Sequence, residues 1–433
     1  MDKKLTTALI LAGGKGSRLH EITKDEIPKP MALINGRPIL EYTINTLVSY
    51  GINQIYISVG HLHEKIEEYF KDGAKFGCHI DYLVENTPLG SGGSLYFLKD
   101  KVNGDFLVCS GDAIFDIAIN RMYQYHIEKK SLITLLVHPN MHPYDSDVIM
   151  VDRDNRVTKL IKKSEERNFY YRNNVNAGMF IINSQTLKYF DELKKVNMEH
   201  DFVVSQIPTN RVFAYNSCEY IKDVGTPERF LGAQEDLKNG VVSSKNLNKQ
   251  QKAIFIDRDG TINKYAGFIN NASQIELLPD VVEAIKRINA SEYLAIVVSN
   301  QPVIARGEAT FEDVEDCFNK IETLLGESGA YIDGRYYCPH HPHSGYEGEV
   351  KELKIACDCR KPNIGLLLQA QNDFNLNLSK CVMVGDTSVD IQTAKNAGIK
   401  SVKLPTEAKD SAIIDADFYA NTLLEAVDIV LKD

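Results

Sequence analysis

Two groups of residues in this sequence are of the types that handle phosphate, and the first lies in the N-terminal half. An apolar segment runs into a glycine-rich turn with Gly13, Gly14 and Gly16, which is followed by the cations Arg18 and Lys29. Glycines let backbone N–H groups approach phosphate oxygens. The two cations suit the charge that develops on a pyrophosphate leaving group. The pattern predicts a site for a polyphosphate.

Two aspartates in the same half have the setting of magnesium ligands. Asp112 follows a short apolar strand, and Asp223 begins the run Asp223-Val224-Gly225-Thr226-Pro227. Mg²⁺ in enzymes is held by one or two carboxylates together with substrate phosphates. We therefore expect Asp112 and Asp223 to share one Mg²⁺ between a triphosphate and a sugar phosphate.

The second group begins at Asp257-Arg258-Asp259-Gly260-Thr261, directly after another apolar strand. Asp257 fits a nucleophile that forms an aspartyl-phosphate, and Asp259 fits the acid and base that protonates the leaving alcohol. Later residues at predicted strand ends add donors, cations and a further carboxylate. These are Ser299 and Asn300 for phosphoryl oxygens, Arg360 and Lys361 as cations, and Asp386 as a Mg²⁺ ligand together with Asp257 and Asp259. The set predicts removal of a phosphate group.

A third cluster of residue types has the spacing of a zinc site. It offers three thiolates and one imidazole, from Cys338, His340, Cys357 and Cys359. Four such ligands form a closed tetrahedral set that leaves no position for substrate, so a structural zinc is expected. His341 and His343 are near enough to compete as ligands, and we interpret them as solvated loop residues.

The segments that position these residues alternate between strands and helices. In the first half we predict strands at 5–12, 55–59 and 106–109, with helices from Pro38 to Gly51 and at 64–70. In the second half we predict strands at 253–256, 294–298 and 382–384, with helices at 281–288, 311–325 and 391–397. This alternation is typical of the α/β class, here with two mostly parallel, Rossmann-like sheets flanked by helices. Ligands of such sheets bind beyond the carboxyl ends of the strands.

The length of 433 residues exceeds what one hydrophobic core supports, so more than one domain is expected. The stretch from about 234 to 251 is polar and contains Gly, Ser and Asn. We therefore predict one domain at 1–235, a linker at 236–251 and a second domain at 252–433.

Bulk properties favour a cytoplasmic protein that acts on small molecules. The net charge of −10 argues against binding of nucleic acid or of anionic membranes. No apolar run approaches the ~20 residues of a membrane-spanning helix, and no signal-peptide pattern opens the sequence. The cysteines outside the zinc pattern are scattered singly, as expected for reduced thiols.

The N-terminal motifs resemble those of the sugar-1-phosphate nucleotidylyltransferases over about residues 1–235. The motifs are Leu11-Ala12-Gly13-Gly14-x-Gly16-x-Arg18, Pro28-Lys29-Pro30, Glu85-x-x-Pro88-Leu89-Gly90, Gly111-Asp112, Asn176-Ala177-Gly178 and Asp223-x-Gly225-Thr226-Pro227. The resemblance implies that the triphosphate lies on Gly13 to Arg18, that Lys29 is a catalytic cation, and that Mg²⁺ binds Asp112 and Asp223. It also implies a nucleotide base near Gly90, and sugar or sugar-phosphate contacts from Glu85, Lys163, Asn176 and Gly178.

The C-terminal motifs resemble those of the haloacid dehalogenase superfamily phosphatases over about residues 252–430. The zinc loop followed at once by Arg360-Lys361-Pro362 is similar to that of the heptose-1,7-bisphosphate 7-phosphatases, with histidinol-phosphatase domains as the alternative. The heptose enzymes usually carry Asn-Gln-Ser-Gly-Ile before Ala-Arg-Gly, and here Pro302 and Val303 depart from that pattern. Arg306 remains, as an expected anchor for the substrate's other phosphate.

Together these features predict a bifunctional enzyme of activated-heptose synthesis. The phosphatase half would remove the 7-phosphate of D-glycero-D-manno-heptose 1,7-bisphosphate. The transferase half would then couple heptose 1-phosphate to a nucleotide, with GTP as the expected donor. Mg²⁺ in both sites and one structural Zn²⁺ are the expected cofactors. The oligomeric state is left open.

Two alternatives remain at this point. The first joins a mannose-1-phosphate or other sugar nucleotidylyltransferase to a phosphatase of different specificity. The second treats one half as a non-catalytic binding module. The sequence disfavours the second alternative, because each half has its own carboxylates and cations suited to catalysis.

Overall fold

The structure, a computed structural model, describes residues 4–14, 17–410, 412 and 414–432. The chain divides into two units. The first comprises the described residues up to 137, then 149–161 and 176–246, and the second comprises 138–148, 162–175 and the described residues from 247 onward. The segments 138–148 and 162–175 precede the predicted linker in sequence but group with the second unit. There the backbone N–H of Asn173 donates to the Glu322 carboxylate at 2.8 Å.

The first unit is built on a mixed sheet flanked by helices. Its strands are β1 (Thr7–Ala12), β2 (Leu33–Ile34), β3 (Arg37–Pro38), β4 (Gln54–Val59), β5 (His79–Val84), β6 (Asp105–Ser110), β7 (Ala113–Asp116), β8 (Ile133–His138), β9 (Val148–Val151), β10 (Val157–Ile161), β11 (Val175–Asn183), β12 (Val212–Asn216) and β13 (Tyr220–Asp223). Its helices are α1 (His20–Thr23), α2 (Ile39–Ser49), α3 (His63–Phe70), α4 (Ile119–Glu128), α5 (Val204–Gln206), α6 (Pro227–Lys238) and α7 (Val241–Ser244).

The main sheet of this unit has the order β10-β9-β11-β6-β1-β4-β5, with β8 beside β11 and β12 beside β8. Strands β6, β1, β4 and β5 pair in parallel, whereas β11 pairs antiparallel to β6. Leu9 and Ile10 of β1 are both fully buried, in hydrophobic clusters on opposite faces of the sheet. Both faces are therefore covered, as expected for a parallel sheet core.

The second unit holds a parallel sheet of order β16-β15-β14-β17-β18-β19. Its strands are β14 (Lys252–Ile256), β15 (Tyr293–Asn300), β16 (Gly334–Cys338), β17 (Val382–Gly385), β18 (Lys400–Lys403) and β19 (Phe418–Tyr419). Its helices are α8 (Val281–Asn289), α9 (Phe311–Glu327), α10 (Gly365–Phe374), α11 (Ser388–Ala397) and α12 (Leu423–Lys432). The predicted α/β class is confirmed.

The predicted linker stretch, 236–251, is partly helical. It contains the end of α6 and all of α7, and Leu247 beyond them is buried. Across the described residues, no helix combines the length and the apolar character needed to span a membrane.

Candidate active sites

Strand pairing brings Asp112 and Asp223 to adjacent places in the first unit. Asp112 lies between β6 and β7, and β13 pairs antiparallel to β7 with Asp223 opposite Ala113. The next residue, Val224, donates its backbone N–H to the carbonyl oxygen of Asp112 at 3.1 Å. Two aspartates more than a hundred residues apart in sequence are therefore neighbours along the backbone, and the Asp223 carboxylate also pairs with Arg229 Nη1 at 2.6 Å. Their oxygens are the ligand type that Mg²⁺ prefers.

Cations surround these two carboxylates. The Lys29 side chain is only 6% exposed, and its Nζ lies 2.5 Å from Asp112 Oδ2. A Cβ placed on Gly225 would lie 2.6 Å from Asp223 Oδ1 and 3.3 Å from both Arg18 Nη2 and Lys29 Nζ. Gly225 therefore leaves the space in which one carboxylate and two cations meet. Arg18 and Lys29 can neutralise phosphate charge there.

A pocket of about 290 Å³ opens beyond the ends of β1, β4 and β5. It is lined by Gly13, Gly60, His61, Glu85, Asn86 and Pro88. Glu85 is held in the lining because one carboxylate oxygen accepts from Ser58 Oγ and the other accepts from Leu89 N at 3.0 Å. A Cβ on Gly13 would lie 3.1 Å from that carboxylate, so glycine keeps the pocket open. A Cβ on Gly14 would have no atom within 4 Å, and Gly16 lies outside the described residues.

The remaining transferase predictions fall in several places. Gly90 has a φ of +75°, and a Cβ there would lie 2.5 Å from the Val196 carbonyl oxygen, so only glycine fits. Asn176 donates to Glu199 Oε1 at 3.1 Å and accepts from the backbone N–H of Gly178 at 3.3 Å. Lys163 belongs to the second unit, where its ammonium group forms an exposed ion pair with Asp145 at 3.2 Å.

In the second unit, three aspartates and one lysine form a buried cluster at the carboxyl ends of β14 and β17. Oxygens of Asp257, Asp386 and Asp390 lie within 4.8 Å of one another. Lys361 Nζ donates to Asp257 Oδ1 at 2.7 Å, to Asp390 Oδ1 at 2.6 Å and to the Val298 carbonyl at 2.9 Å. The lysine thus fixes the predicted nucleophile in one orientation.

The charge of this cluster fits a divalent cation. Burial raises the pKa of Asp257 although the Lys361 ammonium group opposes the shift. Burial also raises the pKa of Asp386, to about 6. Asp386 Oδ1 is buried and accepts no hydrogen bond from any described residue. An unpartnered carboxylate oxygen beside two further carboxylates offers the oxygen ligands that bind Mg²⁺, so the residues present fit this ion.

Asp259, which we predicted as a Mg²⁺ ligand, lies outside the group of Asp257, Asp386 and Asp390 whose oxygens converge, and it has partners of its own. The buried guanidinium of Arg258 donates to both of its oxygens, at 3.0 and 2.8 Å. Asn263 and Gln301 each donate one further hydrogen bond, at 3.0 and 2.9 Å. Four N–H groups therefore hold the predicted acid and base in a defined position.

The other predicted phosphatase residues connect these groups. Ser299 Oγ accepts from Gln301 at 2.8 Å. The side-chain amide of Asn300 donates to the Lys361 carbonyl at 3.0 Å and accepts from the Lys361 backbone N–H at 2.9 Å. Arg360 donates to the His340 carbonyl at 3.1 Å. Asn300 therefore positions the lysine, and Arg360 ties this loop to the cysteine cluster.

Cys338, His340, Cys357 and Cys359 converge as four potential metal ligands. Sulfur–sulfur distances are 3.1 to 3.5 Å, and His340 Nδ1 lies 3.2 Å from Cys359 Sγ and 3.6 Å from Cys338 Sγ. A tetrahedron with Zn–S bonds of about 2.3 Å has S–S edges of about 3.8 Å. Small outward movements of the cysteine sulfur atoms would make room for zinc. His341 and His343 contact each other and are not members of the cluster.

Sequence reasoning left several contributors out of the candidate site. Asp390 is a full member of the aspartate cluster, and its i, i+4 spacing from Asp386 was a usable signal. Arg258 and Gln301 hold Asp259, but no spacing rule signals either contact. Their roles depend on tertiary packing.

Comparison with known proteins identifies a different family in each part of the chain. The profile of the nucleotidyl transferase family matches residues 7–240, and a HAD-hydrolase-like profile matches residues 358–426. These matches confirm the two resemblances that the motifs predicted.

Individual relatives cover the two parts separately. D-glycero-alpha-D-manno-heptose 1-phosphate guanylyltransferase of Aneurinibacillus thermoaerophilus is 31% identical over 234 residues, 54% of this chain and 98% of that protein. D-glycero-beta-D-manno-heptose-1,7-bisphosphate 7-phosphatase of Salmonella typhi is 34% identical over 189 residues, 43% of this chain and 98% of that protein. Among solved structures, HddC from Yersinia pseudotuberculosis is 24% identical with a TM-score of 0.47, covering 54% of this chain and 100% of its own.

Proposed function

Because the chain belongs to the nucleotidyl transferase family and carries a HAD-hydrolase-like region, we propose that it is a bifunctional enzyme of activated-heptose synthesis. Its phosphatase half removes the 7-phosphate of D-glycero-D-manno-heptose 1,7-bisphosphate. Its transferase half joins the resulting heptose 1-phosphate to GMP from GTP and releases pyrophosphate. The names of the two heptose relatives support these substrates. The observation that carries the proposal is that each unit has its own carboxylates beside a buried lysine.

In the transferase half, a phosphate oxygen of the sugar 1-phosphate attacks the α-phosphorus of GTP, and pyrophosphate leaves. The glycine turn holds the triphosphate, and Lys29 and Arg18 neutralise the charge on the leaving pyrophosphate. Glu85 and Asn176 bind sugar hydroxyls. Asp112 and Asp223 would hold a Mg²⁺ ion, which would supply additional neutralisation of phosphate charge.

In the phosphatase half, an oxygen of Asp257 attacks the phosphorus of the 7-phosphate, and the bond from phosphorus to O7 breaks. Asp259 delivers a proton to O7 as the alcohol leaves. Asp259 then takes a proton from a water that attacks the aspartyl-phosphate, which releases inorganic phosphate and restores Asp257. Lys361 holds Asp257 in line and offsets the charge of the incoming phosphate.

The metal ions belong to this proposal. We assign Mg²⁺ to Asp112 and Asp223 in one unit and to the aspartate cluster of Asp257, Asp386 and Asp390 in the other. Zinc in the Cys338–Cys359 loop is structural, since its four ligands leave no open position. The eight free cysteines are typical of reducing surroundings, so we place the protein in the cytoplasm.

Replacement of a zinc ligand is expected to destabilise the fold of the phosphatase half, and not only to slow phosphate release. Structural zinc contributes on the order of 10 kcal/mol to a small loop with little core of its own. We expect the purified protein to contain one zinc per chain by metal analysis. Cys357→Ser should lose that zinc and lower the melting temperature.

The adjacent histidines supply a matched control for the ligand assignment. His340→Gln should release zinc as Cys357→Ser does, whereas His343→Gln should keep it, because His343 is exposed and outside the cluster. Zinc-free protein after purification without chelators would contradict the assignment.

One end-point assay tests both activities together. The protein is incubated with Mg²⁺, all four nucleoside triphosphates and each anomer of the heptose 1,7-bisphosphate, and products are identified by mass. We expect inorganic phosphate, pyrophosphate and GDP-heptose. Both anomers are needed because the names of the two relatives specify different ones. Release of phosphate with no nucleotide sugar from either anomer would overturn the coupled function.

A further inference from the structure

Arg306 lies against two aromatic rings in the second unit. The centre of its guanidinium group is 4.1 Å from the centroid of the Phe268 ring and 4.2 Å from that of the Tyr346 ring. Both distances are well inside the range of cation–π attraction. The Arg306 side chain is 16% exposed, so this group still reaches solvent.

Three loops meet to build this arrangement. Phe268 comes from the loop after β14, Arg306 from the loop after β15, and Tyr346 from the zinc loop. The Val350 N–H donates to the Ala305 carbonyl at 3.0 Å. Gly307 has a φ of +72°, and a Cβ there would lie 1.9 Å from the Gly348 carbonyl oxygen. The zinc loop is therefore fitted closely to the backbone that carries Arg306.

The Tyr346 ring is itself held in place. The backbone N–H of Tyr346 donates to Glu349 Oε2 at 3.1 Å. Lys354 Nζ lies 4.2 Å from the ring centroid, and the His341 ring meets it edge-on at 5.4 Å. A fixed ring restricts the rotamers of the arginine in contact with it.

Charge pairing at Arg306 leaves one edge of the guanidinium group available. Nε and Nη2 donate to Glu308 Oε1 at 2.8 and 2.6 Å. Among the described residues, Glu308 alone accepts hydrogen bonds from this side chain. The Nη1 edge can therefore donate to an oxygen of a phosphate group.

We propose that Phe268 and Tyr346 are positioning residues that set Arg306 to bind the phosphate which the phosphatase does not remove. This inference rests on the proposed function, because it requires a substrate with two phosphate groups. Contact with two rings limits the movement of the guanidinium group, and a restrained donor loses less entropy on binding.

The test compares two substrates in the full-length protein. One is the heptose 1,7-bisphosphate, and the other is p-nitrophenyl phosphate, which has no second phosphate. The readout is the ratio of kcat/KM for the two. We expect Arg306→Gln, Phe268→Leu and Tyr346→Leu each to lower that ratio. The change should come from a higher KM for the bisphosphate. Each ring deletion should lower the ratio by about 3- to 30-fold.

Two controls separate positioning from general damage. Tyr346→Phe keeps the ring and should keep the ratio near that of the wild type. Tyr419→Leu removes an exposed tyrosine on β19 of the same unit and should also leave the ratio unchanged. Melting temperatures of all variants establish that they are folded.

Failure of the inference and failure of the proposed function give different results. If the wild type does not prefer the bisphosphate, the proposed function is wrong and Arg306 has no second phosphate to bind. If Arg306→Gln lowers the ratio while both ring deletions leave it unchanged, the positioning role of Phe268 and Tyr346 is wrong.

Discussion

Asp257→Asn is expected to abolish phosphate release while nucleotidyl transfer continues. The amide cannot act as the attacking carboxylate, so no aspartyl-phosphate forms. Loss of a covalent nucleophile lowers turnover by about 10⁶-fold in a serine protease. The substitution keeps the shape of the side chain, and Lys361 retains its ion pair with Asp390 at 2.6 Å. The variant should therefore remain folded.

The measurement follows inorganic phosphate and pyrophosphate separately. Pyrophosphate release from heptose 1-phosphate and GTP should stay near the wild-type rate, since Asp112 and Asp223 belong to the other unit. Asp316→Asn makes the same chemical change at an exposed position on α9 and should leave both activities intact. Phosphate release by Asp257→Asn at near the wild-type rate would show that another group is the nucleophile.

The sequence predicts the central strands of each sheet well because they are apolar on both faces and end in glycine or aspartate. Boundaries set by tertiary contacts are predicted less well. We predicted a strand at 294–298, but β15 continues through Ser299 and Asn300 because these residues pair with Tyr337 and Cys338 of β16. We predicted a helix from 391, but α11 begins at Ser388, where the side chains of Thr387 and Asp390 cap it.

The same division applies to the candidate sites. Asp257, Lys361 and the four zinc-type ligands could be selected from residue type and spacing, because their chemistry requires those residue types. The arrangement around Arg306 could not, since its two rings come from loops about eighty residues apart in sequence. The grouping of 162–175 with the second unit was also missed, because the contact between Asn173 and Glu322 has no local signature.

Asp112→Asn and Asp223→Asn are each expected to lower nucleotidyl transfer by about 10²- to 10³-fold, the loss seen when a charge-stabilising catalytic group is removed. The pairing of β13 with β7 places the two residues side by side. A single Mg²⁺ held by both would offset the repulsion between the sugar phosphate and the triphosphate it attacks. Loss of either carboxylate then weakens the binding of the same ion.

The double variant distinguishes one shared ion from two independent carboxylates. Because both ligands serve one Mg²⁺, Asp112→Asn combined with Asp223→Asn should be little worse than either single change. Pyrophosphate release is measured over a range of Mg²⁺ concentrations, and the two single variants should need more Mg²⁺ than the wild type. Glu228→Gln, an exposed acidic residue at the start of α6, is the matched control and should behave as the wild type. Phosphate release from the bisphosphate should persist in every variant.

Losses that multiply in the double variant would show that Asp112 and Asp223 act separately, and the shared ion would have to be abandoned.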